Sequence, residues 1–365
     1  MRPTYLEVNL SQLKKNLEAI RAHVDPAKVM PMVKANAYGH GMDGVALFIE
    51  PYVDYIGVAL VEEGIHLREL GLRKPVLVAG ATLPEQIPLF AEYDLTLTGS
   101  SSDLLDIAED VSRSTGTRIK THLKIDTGME RVGVREYEAE PFILKSSAYR
   151  HIDIEGIYTH LANSELADRT YSLMQLERFQ QVLDLYDRHS LPVPSLRHVC
   201  NSGGILNLPE ARFDMVRPGV LFYGVYPGDE VDRVIDAKPA LTWRSRVSYS
   251  KRTRPGRPIS YGSLWQAEAE AGIVTIPCGY ADGYFRRMTN RAQVIIHQKK
   301  YPQVGRICMD QFMVNVGDDD IKVGDEVILL GGGIVAEDLA QWTGTNEYEV
   351  MTNISARVPR VYVNE

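Results

Sequence analysis

The residues best suited to chemistry lie in one short stretch, Val33-Lys34-Ala35-Asn36-Ala37-Tyr38-Gly39-His40-Gly41. It follows an apolar run from Val29, so Lys34 falls at the C-terminal mouth of an expected strand, with glycines opening the next turn. Buried lysines are rare unless paired or used. Desolvation at such a mouth lowers the pKa of an amine and leaves a nucleophile able to form a Schiff base with a carbonyl. Taken alone, Lys34 reads at least as well as the place where a strand meets water. Its neighbours decide between the two.

Further polar residues sit at the ends of later apolar runs. They are Lys124 to Arg131, Tyr158-Thr159-His160, Asn201-Ser202-Gly203-Gly204 and Arg217-Pro218-Gly219-Val220. His160 alone could be a satisfied core histidine, and Arg217 a salt-bridge partner. Ser202 with its glycines, and Gly219-Val220, offer a hydroxyl and backbone N–H groups suited to a phosphate. A phosphate site beside a Schiff-base lysine is what pyridoxal phosphate requires, and its ring nitrogen takes an Asp or Arg partner. Arg217 is the candidate. No P-loop and no metal-ligand spacing competes. Ser260-Tyr261-Gly262, Gly279 to Tyr284 and Gly305 to Asp310 form further loops of this kind. On its own residues Tyr261 reads as structural.

These residues need elements to position them. Strand-like runs recur at Val29–Lys34, Tyr55–Leu60, Pro75–Gly80, Leu95–Ser100, Arg118–Asp126, Ile152–Leu161, Leu196–Ser202 and Met215–Gly219. Helical segments lie between them, such as Glu62–Leu70, Asp103–Ser112 and Tyr171–His189. Before the first run, Leu10, Leu13, Leu17, Ile20 and Val24 mark a helix, with Asn9 as its cap and Pro26 as its stop. The alternation predicts an α/β fold with a parallel sheet. Its eight repeats fit a closed (β/α)8 barrel over residues 10–236, whose function belongs at the C-terminal strand ends. An open doubly wound sheet is the alternative, but its G-x-G-x-x-G signature is missing. Beyond Gly224 short β-like runs alternate with glycine, proline and aspartate, which predicts a mostly β domain over residues 237–365. The strand at residues 4–9 is a candidate to join it.

The net charge of -8 opposes nucleic-acid binding, which needs a basic field. The one basic cluster, Lys251 to Arg257, reads as a solvated hairpin. Three cysteines, none in a C-x-x-C pair, argue against a disulfide or zinc framework. With no apolar leader and no membrane-length run, the expectation is a cytoplasmic protein.

The lysine stretch resembles the cofactor-lysine signature of the alanine racemases. Lys124 to Gly133, Arg217-Pro218-Gly219, Ser260-Tyr261-Gly262, Gly279 to Gly283, Gly305 to Gln311 and Arg357-Val358-Pro359-Arg360 match that family in order. The resemblance implies a pyridoxal-phosphate enzyme with a barrel followed by a β domain. It implies alanine as substrate, D-alanine supply for peptidoglycan precursors, and a head-to-tail homodimer whose sites use both chains. By the same resemblance Lys34 forms the Schiff base and is one acid/base group, and Tyr261 is the other, reaching the partner's site. Arg217 would face the pyridine nitrogen, and His160 would lie near the partner's Tyr261. Tyr38, Ser202, Gly219, Val220 and Tyr348 would hold the phosphate. Arg131 would take the substrate carboxylate, and Met309 would line the pocket. Lys124 is similar to a lysine carbamylated in many members. Tyr280, Arg286 and Arg306 resemble access-channel residues.

Two departures stand out. Ser263-Leu264-Trp265 follows the Tyr261 motif where a threonine and an aromatic are common, and Glu130 replaces a small or neutral residue. Both raise the question of a broader range, serine for example. Rival readings are a decarboxylase of the same architecture and a non-enzymatic pyridoxal-phosphate binding protein. The decarboxylase calls for an acid at the pyridine nitrogen and a catalytic cysteine. Arg217 and Tyr261 oppose it, and the long second domain opposes the binding protein.

Overall fold

The computed structural model describes residues 2–364, which fall into two compact units. One comprises Lys14–Ala37 and Met42–Ala237. The other comprises the described residues up to Leu13, Tyr38–Gly41, and the described residues from Lys238 on.

In the first unit eight strands close into a ring. They are β2 (Lys28–Val29), β3 (Ile56–Val58), β4 (Val76–Val78), β5 (Leu97–Gly99), β6 (Lys120–Asp126), β8 (Asp153–Tyr158), β9 (Leu196–His198) and β10 (Met215–Val216), with β1 (Tyr5–Asn9) before them and the two-residue β7 (Val134–Arg135) beside β6. Parallel pairing joins β10 to β2, β3 to β4, and β5 through β6 and β8 to β9. Parallel bridges at Met32–Gly57 and Leu77–Thr96, and a bond from Arg217 N–H to the Cys200 carbonyl, close the gaps. Most strands are shorter than the apolar runs that announce them.

Met30, Tyr55, Leu77, Tyr158, Leu196 and Met215 fill the barrel as one cluster, each from a different strand or its edge. Glycines make room for the larger side chains. A Cβ on Gly156 would stand 2.5 Å from the His122 ring. Among the outer helices are Val61–Glu69, Ser102–Thr115, Ala139–Ser146 and Thr170–Arg188.

The first helix, Leu10–Val24, starts where the sequence places it, with Asn9 Oδ1 accepting from Gln12 N–H at 2.8 Å. Lys34 differs from its expected setting. The strand ends early, and Lys34 opens a turn in which Ala35, Asn36, Ala37 and Tyr38 all have φ between 51° and 55°. Left-handed backbone costs roughly 1–2 kcal/mol per L-residue and is normally adopted singly.

The second unit is built on a nine-stranded sheet that takes in β1. The remaining strands are β11 (Leu241–Arg246), β12 (Tyr249–Thr253), β13 (Ala271–Ile276), β14 (Gln293–Ile296), β15 (Lys299–Val304), β16 (Phe312–Gly317), β17 (Glu326–Leu330) and β18 (Arg360–Val363). β1 runs antiparallel to β11 and parallel to β18. The expected run Thr242–Ser250 is two strands, since the chain leaves β11 at Arg246 and re-enters at the far edge as β12. Two helices, Ala336–Thr343 and Glu347–Thr352, are additional to the sequence reading. No helix among the described residues is long and apolar enough to cross a membrane.

Gly156→Ala should destabilise the barrel by about 1–3 kcal/mol, because the added methyl must displace a packed imidazole. A thermal-unfolding midpoint equal to wild type would show that the His122 layer has slack.

Candidate active site

Lys34 is half-buried, and the turn that carries it is tied down. Glu63 Oε1 accepts from Ala35 N–H at 2.6 Å, and Asn36 Oδ1 accepts from Met42 N–H at 2.8 Å. Burial lowers the Lys34 pKa, the Arg131 charge lowers it further, and Glu63 opposes both. The amine is thereby shifted toward its nucleophilic form.

Arg131 ends a turn organised by one carboxylate. Asp126 Oδ1 accepts from the N–H groups of Gly128, Met129 and Glu130 at 2.9, 2.9 and 3.0 Å, and Oδ2 from that of Arg131 at 3.0 Å. Burial pushes Asp126 up, but these bonds and Lys124 outweigh it and hold the carboxyl below its usual range. Gly133 lets the returning chain approach, since a Cβ there would stand 2.8 Å from the Lys124 carbonyl. Glu130 turns to Arg135 at 3.3 Å, so this departure has a structural occupation.

Arg217 is 4% exposed. Its Nη2 donates to the carbonyls of Thr159 and Val199 at 2.7 and 2.9 Å and lies 3.4 Å from His160 Nδ1. Its Nη1 donates to His198 Nδ1 at 2.8 Å. A guanidinium can only donate, so His198 carries its proton on Nε2. That nitrogen meets His122 Nδ1 at 2.9 Å, and His122 Nε2 meets Glu155 Oε1 at 3.3 Å. A one-way chain of donors therefore runs Arg217, His198, His122, Glu155, with both imidazoles neutral. Burial, reinforced by Arg217 and other cations, holds His198 and His160 well below the ordinary histidine value, and burial lowers His122. Burial pushes Arg217 down to about 10, so it stays charged at neutral pH.

Tyr158 underlies this group. Its ring stacks on His198 at 4.5 Å between centroids, Lys124 Nζ lies 4.7 Å over it, and the Arg217 guanidinium lies 5.2 Å over it. Burial and the Arg217 charge push the Lys124 pKa well down. Ser202 is buried, and its Oγ accepts from Gly219 N–H at 2.9 Å and Leu221 N–H at 3.3 Å. Both lone pairs are then occupied and the hydroxyl proton is directed to a further acceptor. The short helix Ser202–Asn207 and the 3-10 turn Val220–Tyr223 begin here, and the first amides of such turns lack intrahelical partners. The barrel thus gathers Lys34, Lys124, Arg131, His160, Ser202, Arg217, Gly219 and Val220 in one unit.

The other expected residues belong to the second unit. Tyr38, buried and with its phenol pKa raised by that burial, has its ring centroid 6.1 Å from that of Tyr348. Tyr261 is 70% exposed in a turn where Ser260, Gly262 and Ser263 have positive φ. Ser260 Oγ donates to the Arg306 carbonyl at 2.6 Å. Tyr280 N–H donates to the Cys308 carbonyl and Ala281 N–H to that of Met309. Ile307 N–H bonds Thr289 Oγ1, which donates to the Arg286 carbonyl. These bonds tie the segments bearing Tyr261, Tyr280, Arg286, Arg306 and Met309 into one cluster, in which Tyr261, Tyr280 and Met309 stay exposed. Trp265 packs on the core of Ile259, Ile273 and Val304, so this part of the Ser263-Leu264-Trp265 departure is structural, while Leu264 is exposed.

The sequence reading gave no role to Tyr158, His122, His198 or Glu155. Their signal is polar residues at alternate positions, 122 and 124, 158 and 160, in strands expected to be apolar throughout.

The chain matches the family models of the alanine racemase N-terminal domain over residues 8–227 and C-terminal domain over residues 240–362. The chain belongs to the alanine racemase family. Among curated relatives, an alanine racemase of Carboxydothermus hydrogenoformans is 43% identical over 373 residues, covering 100% of both chains. An alanine racemase structure from Clostridium difficile 630 superposes with a TM-score of 0.95 at 37% identity, over 100% of this chain and 97% of that one. The Bartonella henselae alanine racemase, with covalently bound pyridoxal phosphate, does so with a TM-score of 0.91 at 26% identity over 100% of both.

The neutral histidines predict a pH effect with a definite sign. Below about 6.5 the unfolded chain takes up protons that the buried rings refuse, so stability is full above that pH and falls as the pH drops below it. Urea unfolding from about pH 7.5 down to pH 5.5 should show the loss, and His198→Asn should show less of it. Equal slopes for the two proteins would contradict the neutral-histidine chain.

Proposed function

We propose that this protein interconverts L- and D-alanine, with pyridoxal phosphate held on Lys34, and that two copies of the chain share each site. The observation that carries the reading is the donor set of the barrel rim. A half-buried amine of lowered pKa, a hydroxyl with both lone pairs filled beside two turn N-termini, and a buried guanidinium fit an aldehyde, a phosphate and a ring nitrogen respectively. Family membership and the relative with covalently bound pyridoxal phosphate support the same group.

When bound, pyridoxal phosphate withdraws electrons from the substrate and so acidifies its Cα–H bond. The residues of the chain do the rest. Lys34 Nζ anchors the group and carries the proton on one face of Cα. The partner's Tyr261 Oη carries it on the other, with the partner's Met309 lining the pocket. Arg131 engages the substrate carboxylate, and Lys124, where carbamylated, orients Arg131. Ser202, Gly219, Val220, Tyr38 and Tyr348 hold the phosphate. Arg217 keeps its own proton, so negative charge stays near Cα and reprotonation there is favoured over side reactions. The partner's Tyr280, Arg286 and Arg306 border the way in. Glu130 and Trp265 have structural partners, so neither of these two residues argues for a substrate larger than alanine.

Lys34→Ala should lose both the Schiff-base absorbance and racemase activity, and Tyr261→Phe should lose about 10²–10⁴-fold in rate, as for a removed acid/base group. Mixing the two inactive chains tests sharing directly. The hybrid dimer holds one site with both Lys34 and Tyr261, so random exchange should restore about a quarter of wild-type activity. No recovery after verified exchange would place both groups on one chain.

Arg217→Glu should raise the transamination side reaction of the loaded enzyme, measured as loss of cofactor absorbance to the pyridoxamine form. An unchanged rate would show that the proton held by Arg217 does not govern the outcome.

A further inference from the structure

We infer that Gln175 is a positioning residue of the racemase site, a strut that fixes the loop of Arg131 against the loop of His160. The inference rests on the alanine racemase reading above.

The helix Thr170–Arg188 presents Tyr171, Gln175 and Arg178 on one face, at the spacing of successive helical turns. All three reach over the barrel rim. Tyr171 Oη donates to the Gly128 carbonyl at 2.7 Å, and Arg178 Nη1 donates to the Thr127 carbonyl at 3.0 Å. Gln175 differs from its neighbours in two respects. It is fully buried, and it touches both loops. Its Nε2 donates to Thr127 Oγ1 at 3.3 Å and to the His160 carbonyl at 3.1 Å, while its Oε1 accepts from Ala162 N–H at 2.9 Å.

Burying a primary amide is costly unless its hydrogen bonds are made. Packing alone does not call for one here, because the same helix buries Phe179, Val182, Leu183, Leu185 and Tyr186. What the amide adds is a link of fixed length between two backbone segments. One segment starts at Thr127, next to the Asp126 carboxylate that gathers the N–H groups up to Arg131. The other carries the His160 ring, which faces Arg217. Thr127 Oγ1 also meets Thr159 Oγ1 at 2.8 Å, so the strut spans an already paired threonine couple. Without it, Tyr171, Arg178 and the threonine couple still hold the Arg131 turn, but the buried link from that turn to the His160 carbonyl is lost and the two loops can shift relative to each other. A displacement near 1 Å at a positioned group is enough to cost on the order of 10²-fold in rate.

The test compares wild type, Gln175→Met and Gln175→Glu as holoenzymes. Methionine keeps the volume but has no donor. Glutamate keeps the acceptor for Ala162 and loses both donors. The measurements are kcat and KM for each alanine enantiomer, the inhibition constant of propionate (alanine without its amine), the cofactor absorbance and the unfolding midpoint. Because Arg131 grips the carboxylate, KM and the propionate constant should rise together by about tenfold in both variants, with a smaller change in kcat. Cofactor absorbance should stay at the wild-type level. If Gln175→Met does not fold, the propionate constant of Gln175→Glu decides alone. A wild-type propionate constant in a folded variant overturns the proposal. A wild type that does not racemise alanine overturns the functional reading instead, and this inference with it.

Discussion

Arg217 is a positive charge inside a barrel, and no carboxylate of the described residues touches it. Its bonds go to two carbonyls and to two imidazole nitrogens, and the negative charge at the end of that chain is Glu155, two histidines away. Much of the site follows from this placement. The histidines must be neutral, because a second buried cation there would be uncompensated. Lys124, above the same tyrosine ring, is pressed toward its neutral form. Negative charge brought in from outside is welcome at the rim, whether as phosphate, carboxylate or carbamate.

The same placement explains why the strands around Arg217 carry so many polar residues. A parallel barrel is normally filled by branched apolar side chains. Here Met30, Leu77, Leu196 and Met215 supply the apolar part of the filling, and only the leucines are branched. Beside them stand Tyr158, His122, His198 and Lys124, joined to one another by hydrogen bonds and ring contacts. A network of this kind specifies geometry as well as adding stability.

How much of this was legible in the sequence depended on range. The cap at Asn9 and the helix it starts are local, and their residues announce them. The ring of eight strands was legible because a parallel sheet demands repeated alternation. The Tyr261 motif was legible only as a family resemblance, since its own residues say nothing beyond a turn. The helices Ala336–Thr343 and Glu347–Thr352 are too short to show a period, and β18 is a four-residue strand close behind a proline. The break between β11 and β12 was hidden because both halves have strand character. The Arg217 chain and the Gln175 link depend on contacts between residues far apart in sequence, and no local pattern encodes which histidine faces which.

The turn after Lys34 has a further consequence. Four successive residues hold a backbone hand that L-residues resist, and two of them are alanines. The mirror-image residue enters that hand without strain. A chain assembled by chemical ligation with D-alanine at positions 35 and 37 would keep the same turn and relax it.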